Sequence, residues 1–406
     1  MKIGIIGAGA SGLMAAITAA ENGAKVTLIE KKDRVGKKIL ATGNGKCNFT
    51  NKNIKSTDYN SQTSNIFENY ISQFNEEQVI SLFRKWGMMV KNREGYCYPR
   101  SEQASTILTI LEQQCKKNKI EILTNTFPKE IKVGKKGFTL LLNEGNKLNF
   151  DKLILACGSY AGEKNRDSFT GYTYAKELGH SLVPVVPALV QVRGKGKEFK
   201  TVAGVRCQAA LSLWINDQQV VREEGELQLT DYGISGIPVF QFSRRVGYGA
   251  YYGEKMEAVI DFLPELSLTQ WEEEIERKWN TMDKEFTLED FFQGYLNKKI
   301  NHLFITRNGY APDWLLKKVT LKDIRKISSQ MKEWRISLKE TNPYENGQVC
   351  AGGVSMEEIG LNMESKYIKN LFFCGELLDV DGRCGGYNLQ WAWTSGYLAG
   401  KNAAYS

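Results

Sequence analysis

A chain of 406 residues with 42% hydrophobic side chains has the composition of a globular protein and is too long for one ordinary hydrophobic core. Its 54 basic and 46 acidic side chains give a net charge of +8, which suits an anionic cofactor or substrate. No long basic run or basic stripe studded with aromatic residues indicates a nucleic-acid groove. We therefore expect two or three structural units, a small-molecule substrate and no nucleic-acid partner.

The cysteines, histidines and apolar segments narrow the class of protein further. The eight cysteines contain no Cys-x-x-Cys pair and no compact disulfide framework, which favours a reducing, cytoplasmic location. His180 and His302 lie far apart in the sequence, so we expect no metal site. Glycines interrupt the apolar N-terminal stretch, unlike a secretory signal, and no segment reaches the roughly 20 apolar residues of a membrane helix. The sequence does not indicate an oligomeric state.

The first 30 residues predict a strand, a glycine turn, a helix and a second strand. The segment KIGIIG (2–7) is typical of a short buried strand, and residues 11–22 of an Ala-rich helix that ends at Gly23. The segment AKVTLIE (24–30) predicts the second strand. This order of elements is the beginning of a dinucleotide-binding fold.

The turn between these elements carries a nucleotide-binding motif. Gly7, Gly9 and Gly12 form G-x-G-x-x-G in the strand-turn-helix context that the motif requires. The first glycine permits the tight turn, the second lets the backbone approach a pyrophosphate, and the third lets the helix pack on the strand. Glu30, 18 residues after Gly12, ends the second strand, where a carboxylate accepts hydrogen bonds from ribose hydroxyls. The motif fits NAD or FAD.

Beyond the motif, the chain predicts a cofactor domain split in two by an inserted domain. We expect a first part of the cofactor domain over 1–189 and a second part over 346–406. The inserted domain, 190–345, is expected to be β-rich, a small barrel or sandwich, over 190–265 and 334–345 and helical over 266–333. Because sheet-type motifs bracket it on both sides, we expect it to cover the reactive face of the cofactor.

Two segments of the predicted cofactor domain favour FAD. Residues 31–51 follow the ribose carboxylate with glycines and lysines, suited to a loop folded over a long cofactor. Residues 370–400 predict a strand ending at Gly375-Glu376, a glycine loop, and a helix from about 385 to 399. The amides at that helix start would face an electron-rich group, which in flavoproteins is the pyrimidine edge of the flavin. A helix that only completes the fold is the alternative.

The same motifs carry a resemblance to a known family. From end to end, the chain resembles the HI0933-like flavoproteins, a bacterial family whose members are also described as BaiN-type flavoproteins or aminoacetone oxidases. The motifs that carry the resemblance are GAGASGLMAA, GKKILATGNGKCNFTN, LILACGS (153–159), VVPALV (185–190), LTDYGISGIP (229–238), CAGGVSMEEI (350–359) and GELLDVDGRCGGYNLQWAW. The resemblance implies an α/β fold with a Rossmann-type FAD domain, of the two-dinucleotide-binding kind, and an inserted domain that combines a β-barrel with helices.

The resemblance also implies the site. FAD would bind noncovalently along the first turn, the 36–48 loop and the start of the C-terminal helix, with no catalytic residue identified. The residues expected to hold it are Gly7, Gly9, Ala10, Ser11, Gly12, Glu30, Lys31, Lys38, Thr42, Gly43, Asn44, Cys47, Asn48, Pro128, Ala156, Cys157, Gly158, Gly375, Glu376, Gly386, Tyr387, Asn388 and Leu389.

The chain departs from the family pattern at four positions. Cys157, Cys350 and Cys384 stand where threonine is common, near-isosteric changes that alter the polarity beside the cofactor. Pro128 lies where a backbone strand usually meets the adenine, and it lacks the amide for that contact. These departures leave FAD as the expected cofactor.

The sequence leaves several functions open. No second unit of strand, G-x-G-x-x-G turn, helix and acid appears in the middle of the chain, since Gly247-Tyr248-Gly249 lacks the helix and the acid, so NAD(P)H would visit the flavin transiently. We expect an NAD(P)H-linked reductase of a hydrophobic enone such as a bile-acid-like substrate. Oxidation of an aminoacetone-type amine by oxygen is the alternative, because the family supports both. A flavin sensor without turnover and an FAD-dependent RNA modifier are the remaining readings.

Overall fold

The computed structural model describes residues 1–63, 67–164 and 170–405, and the chain divides into two compact units. The first unit comprises Met1–Val186 and Gln348–Ser406, and the second comprises Pro187–Gly347. Each unit has a hydrophobic core of its own. The boundaries expected from the sequence lie two or three residues from these.

The helices and strands are numbered in chain order. The helices are α1 Ala10–Glu21, α2 Lys37–Ala41, α3 Phe67–Ile71, α4 Glu76–Lys85, α5 Ala104–Lys117, α6 Gly171–Glu177, α7 Phe199–Val202, α8 Ile237–Tyr252, α9 Leu268–Thr281, α10 Leu288–Phe292, α11 Lys298–Arg307, α12 Leu321–Lys332 and α13 Tyr387–Tyr405. The strands are β1 Lys2–Ile6, β2 Lys25–Ile29, β3 Thr50–Asn51, β4 Tyr59–Asn60, β5 Val90–Arg93, β6 Tyr96–Pro99, β7 Glu121–Leu123, β8 Pro128–Gly134, β9 Gly137–Leu142, β10 Lys147–Phe150, β11 Lys152–Leu155, β12 Leu182–Ala188, β13 Val192–Gly194, β14 Arg206–Ile215, β15 Gln218–Leu229, β16 Gly233–Gly236, β17 Met256–Asp261, β18 Trp334–Thr341, β19 Val349–Val354, β20 Leu371–Phe373 and β21 Asp381–Gly382.

The first unit is built on a five-stranded parallel sheet in the order β20-β11-β1-β2-β7. Its central strand β1 is buried at four successive positions after Lys2, as expected for a parallel strand covered on both faces. Smaller antiparallel sheets, β10-β9-β8 and β3-β6-β5, and the pairs β12-β19 and β21-β4 complete the unit. The predicted α/β, Rossmann-type fold is confirmed.

Helices α1 and α13 pack against each other through their backbones. A Cβ atom on Gly396 of α13 would come within 2.4 Å of the Ser11 carbonyl oxygen of α1. One turn further along α13, a Cβ on Gly400 would come within 2.3 Å of the Ala15 carbonyl oxygen. Segments almost 400 residues apart in sequence therefore share one core, which places the two halves of the predicted cofactor fold side by side.

The second unit contains a closed antiparallel barrel in the order β13-β16-β15-β14-β17-β18. Helices α9 to α12 lie between β17 and β18 in sequence, within the range predicted to be helical. Their amphipathic pattern buries Trp271 and Ile275 of α9 and Ile324, Ile327 and Met331 of α12.

One element of the second unit differs from the prediction. The segment 237–252, expected within the β-rich part, is the helix α8. Its β-branched and aromatic residues favour a strand locally. Two capping signals mark the helix instead: Pro238 occupies its first turn, and Gly253 ends it in the left-handed conformation (φ 72°). The Gly247 and Gly249 pair therefore lies inside a helix and not in a turn.

The described residues show no feature of a membrane span or a metal cluster. In the described parts of the chain, no helix is long and apolar enough to cross a membrane. The same residues contain no group of three or more His, Cys, Asp or Glu side chains that could hold a metal ion. Each of the eight cysteines is a free thiol.

Candidate functional site

The glycine turn after β1 is shaped by its contact with the neighbouring strand. Gly7 has a left-handed φ of 103°, and a Cβ there would lie 2.3 Å from the Ala156 carbonyl oxygen, just beyond the end of β11. The Gly7 amide donates to the Ile29 carbonyl oxygen at 2.8 Å. Only glycine fits this position, because both the backbone conformation and the space exclude a side chain.

The other two glycines of the motif have opposite surroundings. A Cβ on Gly12 would lie 1.9 Å from the Gly7 carbonyl oxygen, so Gly12 lets α1 approach the turn closely. A Cβ on Gly9 would meet no atom of the described chain within 4 Å. Gly9 is also the N-cap of α1, whose first turn, beginning with Ala10 and Ser11, presents backbone amides. Open space in front of a helix N-terminus fits a pyrophosphate.

The carboxylate of Glu30 is held beside this turn by backbone donors. Its Oε2 accepts a hydrogen bond from the Ala8 amide at 2.7 Å, and its Oε1 accepts one from the Lys32 amide at 2.8 Å. A carboxylate has further lone pairs, which remain suited to the two hydroxyls of a ribose. The next residue, Lys31, lies with its ammonium 5.4 Å from the centroid of the Phe127 ring.

Gly375, in the C-terminal glycine segment 370–400, lies against the start of α1 beside the first glycine turn. A Cβ on Gly375 would lie 2.3 Å from the Ser11 hydroxyl oxygen, and Gly375 has a left-handed φ of 75°. Its amide donates to the Ser395 hydroxyl at 2.9 Å, and Ser395 in turn donates to the Trp391 carbonyl of α13. The structure thus brings the two predicted halves of the site together, and α13 anchors the second half.

Glu376 gathers a charged cluster next to that contact. The Lys38 ammonium donates to Glu376 Oε2 at 2.5 Å, and the Ser159 hydroxyl donates to the same oxygen at 2.8 Å. The Glu376 side chain is 18% exposed, so this pair is partly shielded from water. The ion pair thus holds Lys38, from the 36–48 loop, beside Glu376, which directly follows Gly375.

Within the 36–48 loop, the predicted residues divide into an exposed set and a buried set. Gly43 and Asn44 are exposed with left-handed φ angles, and the Thr42 hydroxyl bonds the loop's own Ile39 carbonyl. Cys47 and Asn48 are buried, and burial raises the pKa of the Cys47 thiol to about 11. In the described residues no hydrogen-bond partner reaches Asn48 Oδ1.

The start of α13 lies against this buried end of the loop. A Cβ on Gly386 would lie 2.7 Å from the Thr50 carbonyl and 3.0 Å from Asn48 Oδ1. The Asn388 side chain accepts from the Gly382 amide at 2.8 Å and donates to the Gly382 carbonyl at 2.9 Å. Asn388 therefore braces the preceding loop with its side chain. Tyr387 and Leu389, also in the first turn, are partly buried.

The remaining predicted residues lie near the end of β11 and at the start of β8. The Ala156 amide donates to the Ile6 carbonyl at 2.8 Å, and the Cys157 thiol donates to the same carbonyl at 3.4 Å. At Gly158, the next residue, a Cβ would again meet no described atom within 4 Å. Pro128 begins β8, and its carbonyl accepts a 2.6 Å hydrogen bond from the Tyr174 hydroxyl.

Two serines of the site were missed by the sequence analysis. Ser159 bonds the Glu376 carboxylate, and Ser395 bonds the Gly375 amide. Ser159 stands at the end of the LILACGS motif, which was a usable signal. Ser395 is a buried polar residue inside a helix, and its role depends on a contact 20 residues away that no local pattern indicates.

Comparisons with known proteins assign the family. The HI0933-like protein Rossmann domain family matches residues 1–402. The chain belongs to the HI0933-like family.

The chain is also similar to several named proteins. The chain is 40% identical to the 3-dehydro-bile acid delta(4,6)-reductase of Clostridium scindens, with 99% of each chain covered. It is 28% identical to the ribosomal RNA dihydrouridine synthase of Escherichia coli, with 98% of this chain and 96% of that protein covered. Among solved structures, it is similar to a 3-ketosteroid-delta4-(5alpha)-dehydrogenase of Rhodococcus jostii, at a TM-score of 0.48 and 14% identity over 100% of this chain and 96% of that chain.

The protein is thus an FAD-dependent oxidoreductase with a Rossmann-type FAD-binding domain. The residues present fit the cofactor, because open space lies before Gly9 and a buried acceptor, Asn48 Oδ1, lacks a partner among the described residues. Gly9 with the start of α1 would hold the pyrophosphate, Glu30 the ribose, and the Asn48–Gly386 region the flavin ring. When bound, FAD supplies the two-electron redox chemistry.

Proposed function

We propose that this enzyme reduces a carbon–carbon double bond conjugated with a carbonyl group in a hydrophobic, bile-acid-like substrate, with NAD(P)H as electron donor. The observation that carries the proposal is the 40% identity, across 99% of both chains, to a 3-dehydro-bile acid delta(4,6)-reductase. A relationship that spans the whole chain includes the second unit as well as the cofactor-binding unit.

The second relative supports the same type of reaction on a different molecule. A dihydrouridine synthase, by its name, saturates a double bond of the uracil ring, and that bond is also conjugated with a carbonyl. Both names thus describe reduction of an activated double bond. The reaction type therefore has broader support than the hydrophobic substrate.

The proposed reaction balances with one donor molecule. The β-carbon of the enone receives a hydride and the α-carbon receives a proton, while NAD(P)H becomes NAD(P)+. The sequence has one G-x-G-x-x-G turn followed by a helix and an acid, at Gly7–Gly12, and FAD is assigned to it. In this proposal NAD(P)H binds transiently, FAD is held noncovalently, and the enzyme works in the reducing cytoplasm that its free thiols favour.

The proposal is tested by following the absorbance of the bound flavin without oxygen. NADH or NADPH should bleach the flavin rapidly, and a steroid enone should then restore its colour with formation of the saturated ketone. Failure of both nucleotides to reduce the flavin would contradict the proposal. Prompt reduction by aminoacetone, with release of hydrogen peroxide in air, would favour the amine oxidase instead.

A second candidate function is reduction of uridine in ribosomal RNA. The similarity to the Escherichia coli enzyme covers 98% of the chain, and the net charge of +8 suits a polyanion. Dihydrouridine measured in ribosomal RNA, with and without the gene, distinguishes the two substrates. Loss of dihydrouridine in the deletion strain, restored by the gene, would assign RNA as the substrate.

We also propose that the second unit, Pro187–Gly347, supplies the substrate contacts. Each unit has its own core, which supports separate folding. Replacing residues 190–345 by a short linker should leave part of the FAD binding intact and remove turnover. Turnover that survives this deletion would place the substrate contacts in the first unit.

A further inference from the structure

Asn48 contains an unsatisfied acceptor at the buried end of the 36–48 loop. The residue is 9% exposed, and its Oδ1 has no hydrogen-bond partner in the described residues. Buried amide oxygens are almost always paired, because removing them from water without a partner costs free energy. A bound donor that completes this hydrogen bond is the simplest physical reason for the arrangement.

The position of this oxygen relative to α13 is fixed by neighbouring side chains. The Trp393 indole of α13 donates to the Phe49 carbonyl at 2.9 Å. The Thr50 hydroxyl donates to the side-chain oxygen of Gln390, another residue of α13, at 2.6 Å. The backbone that follows Asn48 is therefore tied to the first two turns of the helix. This holds the Asn48 amide near Gly386, immediately before the helix begins.

The start of helix α13 provides hydrogen-bond donors. Helix α13 is 19 residues long and begins at Tyr387. The first backbone amides of a helix have no acceptor within the helix and carry its partial positive charge. The space between Asn48 and Tyr387 is therefore bordered by the backbone N–H donors at the start of α13 and by the acceptor Asn48 Oδ1.

This combination matches the pyrimidine edge of a flavin. That edge presents the acceptors N1, O2 and O4 and a single donor, N3–H. We propose that Asn48 is a positioning residue whose Oδ1 accepts the hydrogen bond from flavin N3–H, while the first amides of α13 face the oxygen and nitrogen acceptors of the same ring. The proposal rests on FAD binding and does not depend on the identity of the substrate.

An uncharged acceptor also suits the chemistry at this place. Two-electron reduction places negative charge on the pyrimidine side of the flavin, which the positive end of α13 stabilises. An aspartate here would accept from N3–H equally well but would repel that charge. Asparagine supplies the acceptor without the repulsion.

The test compares FAD with 3-methyl-FAD, in which a methyl group replaces the N3 hydrogen. FAD-free wild-type protein should bind FAD about tenfold or more tightly than the methyl analogue, as expected for loss of one buried hydrogen bond. Asn48→Ala should bind both with nearly equal affinity. Asn53→Ala, an exposed asparagine five residues away, is the matched control and should keep the wild-type ratio.

A second variant separates this role from a general loss of folding. Asn48→Asp should keep the preference for FAD and lower the reduction potential of the bound flavin, because the carboxylate retains the acceptor and adds a negative charge. Wild-type protein that binds FAD but does not discriminate against 3-methyl-FAD would overturn the inference. Protein that binds neither form would instead contradict the assignment of FAD itself.

Discussion

Gly396 and Ser11 are in direct backbone contact: a Cβ on Gly396 would approach the Ser11 carbonyl oxygen to 2.4 Å. The contact joins the helix that follows the first glycine turn to the helix that follows the second. It therefore fixes the distance between the places where we assign the pyrophosphate and the flavin ring.

We predict that Gly396→Ala destabilises the protein although alanine is the better helix former. The propensity gain of about 1 kcal/mol is outweighed by the clash with Ser11, since overpacking costs about 1–3 kcal/mol and a backbone carbonyl yields little. Urea unfolding should show a lower free energy of unfolding. Gly134→Ala is the control, because its Cβ would have no neighbour closer than 3.5 Å. Equal stabilities of the two variants would contradict the packing argument.

Gly9 and Gly12 should separate cofactor binding from folding. Gly9 is extended (φ −79°, ψ −166°) and open to space, so Gly9→Val should fold but lose FAD, because the side chain occupies the place of the pyrophosphate. Gly12→Ala should instead lower the stability of the FAD-free protein, since its Cβ would lie 1.9 Å from the Gly7 carbonyl oxygen. The flavin content of the purified proteins measures FAD binding, and the melting temperature of the FAD-free proteins measures stability. A Gly9→Val protein with full FAD content would refute the assignment of the turn.

His180 should make the stability of the protein depend on pH. Burial lowers the pKa of His180 below the usual histidine value of 6.5, and the nearby Glu358 carboxylate offsets part of that effect. Its Nε2 lies 2.8 Å from the Ser365 hydroxyl, and the side chain is 3% exposed. Below about pH 6.5 the unfolded chain binds a proton that the folded chain does not, so stability falls as the pH falls.

The measurement for this prediction is urea unfolding between about pH 7.5 and 5.5. His180→Gln should show a smaller loss of stability over that range than the wild type, because the proton uptake is removed. His302→Gln, in the second unit, controls for the loss of an imidazole elsewhere. An unchanged pH dependence in His180→Gln would exclude His180 as the group responsible.

The thiols should take no part in the redox reaction. Burial raises the pKa of all eight cysteines, to about 11 for Cys47 and about 12 for Cys374, so few thiolates form near neutral pH. A chromogenic disulfide reagent at pH 7.5 should react slowly with the native protein and rapidly with all eight thiols after denaturation. Cys47→Ala should retain flavin reduction by the electron donor. A rapidly titrating native thiol whose blockage stops turnover would contradict this prediction.

The fold of the first unit could be predicted because its signals are local. Gly7, Gly9, Gly12 and Glu30 follow one another within 24 residues, and the turn they build is dictated by the backbone itself. Helix α8 was missed because its residues favour a strand, while the decisive signals were single capping residues, Pro238 and Gly253.

Contacts between distant segments explain the rest. The hydrogen bonds from Ser159 to Glu376 and from Thr50 to Gln390 join residues 217 and 340 positions apart. No spacing rule connects such positions, so neither the charged cluster at Glu376 nor the fixed position of Asn48 could be derived from the sequence. The side-chain hydrogen bonds of Asn388 to the Gly382 backbone are likewise contacts that the sequence does not indicate.

The pairing of α1 with α13 sets the order of events during protein synthesis. The ribosome makes α1 before the whole of the second unit, and it makes α13 only after residue 386. At about 5–20 residues per second, the surface of α1 that receives Gly396 waits roughly 20–80 s for its partner. FAD can therefore be captured at the complete site only after α13 has been translated.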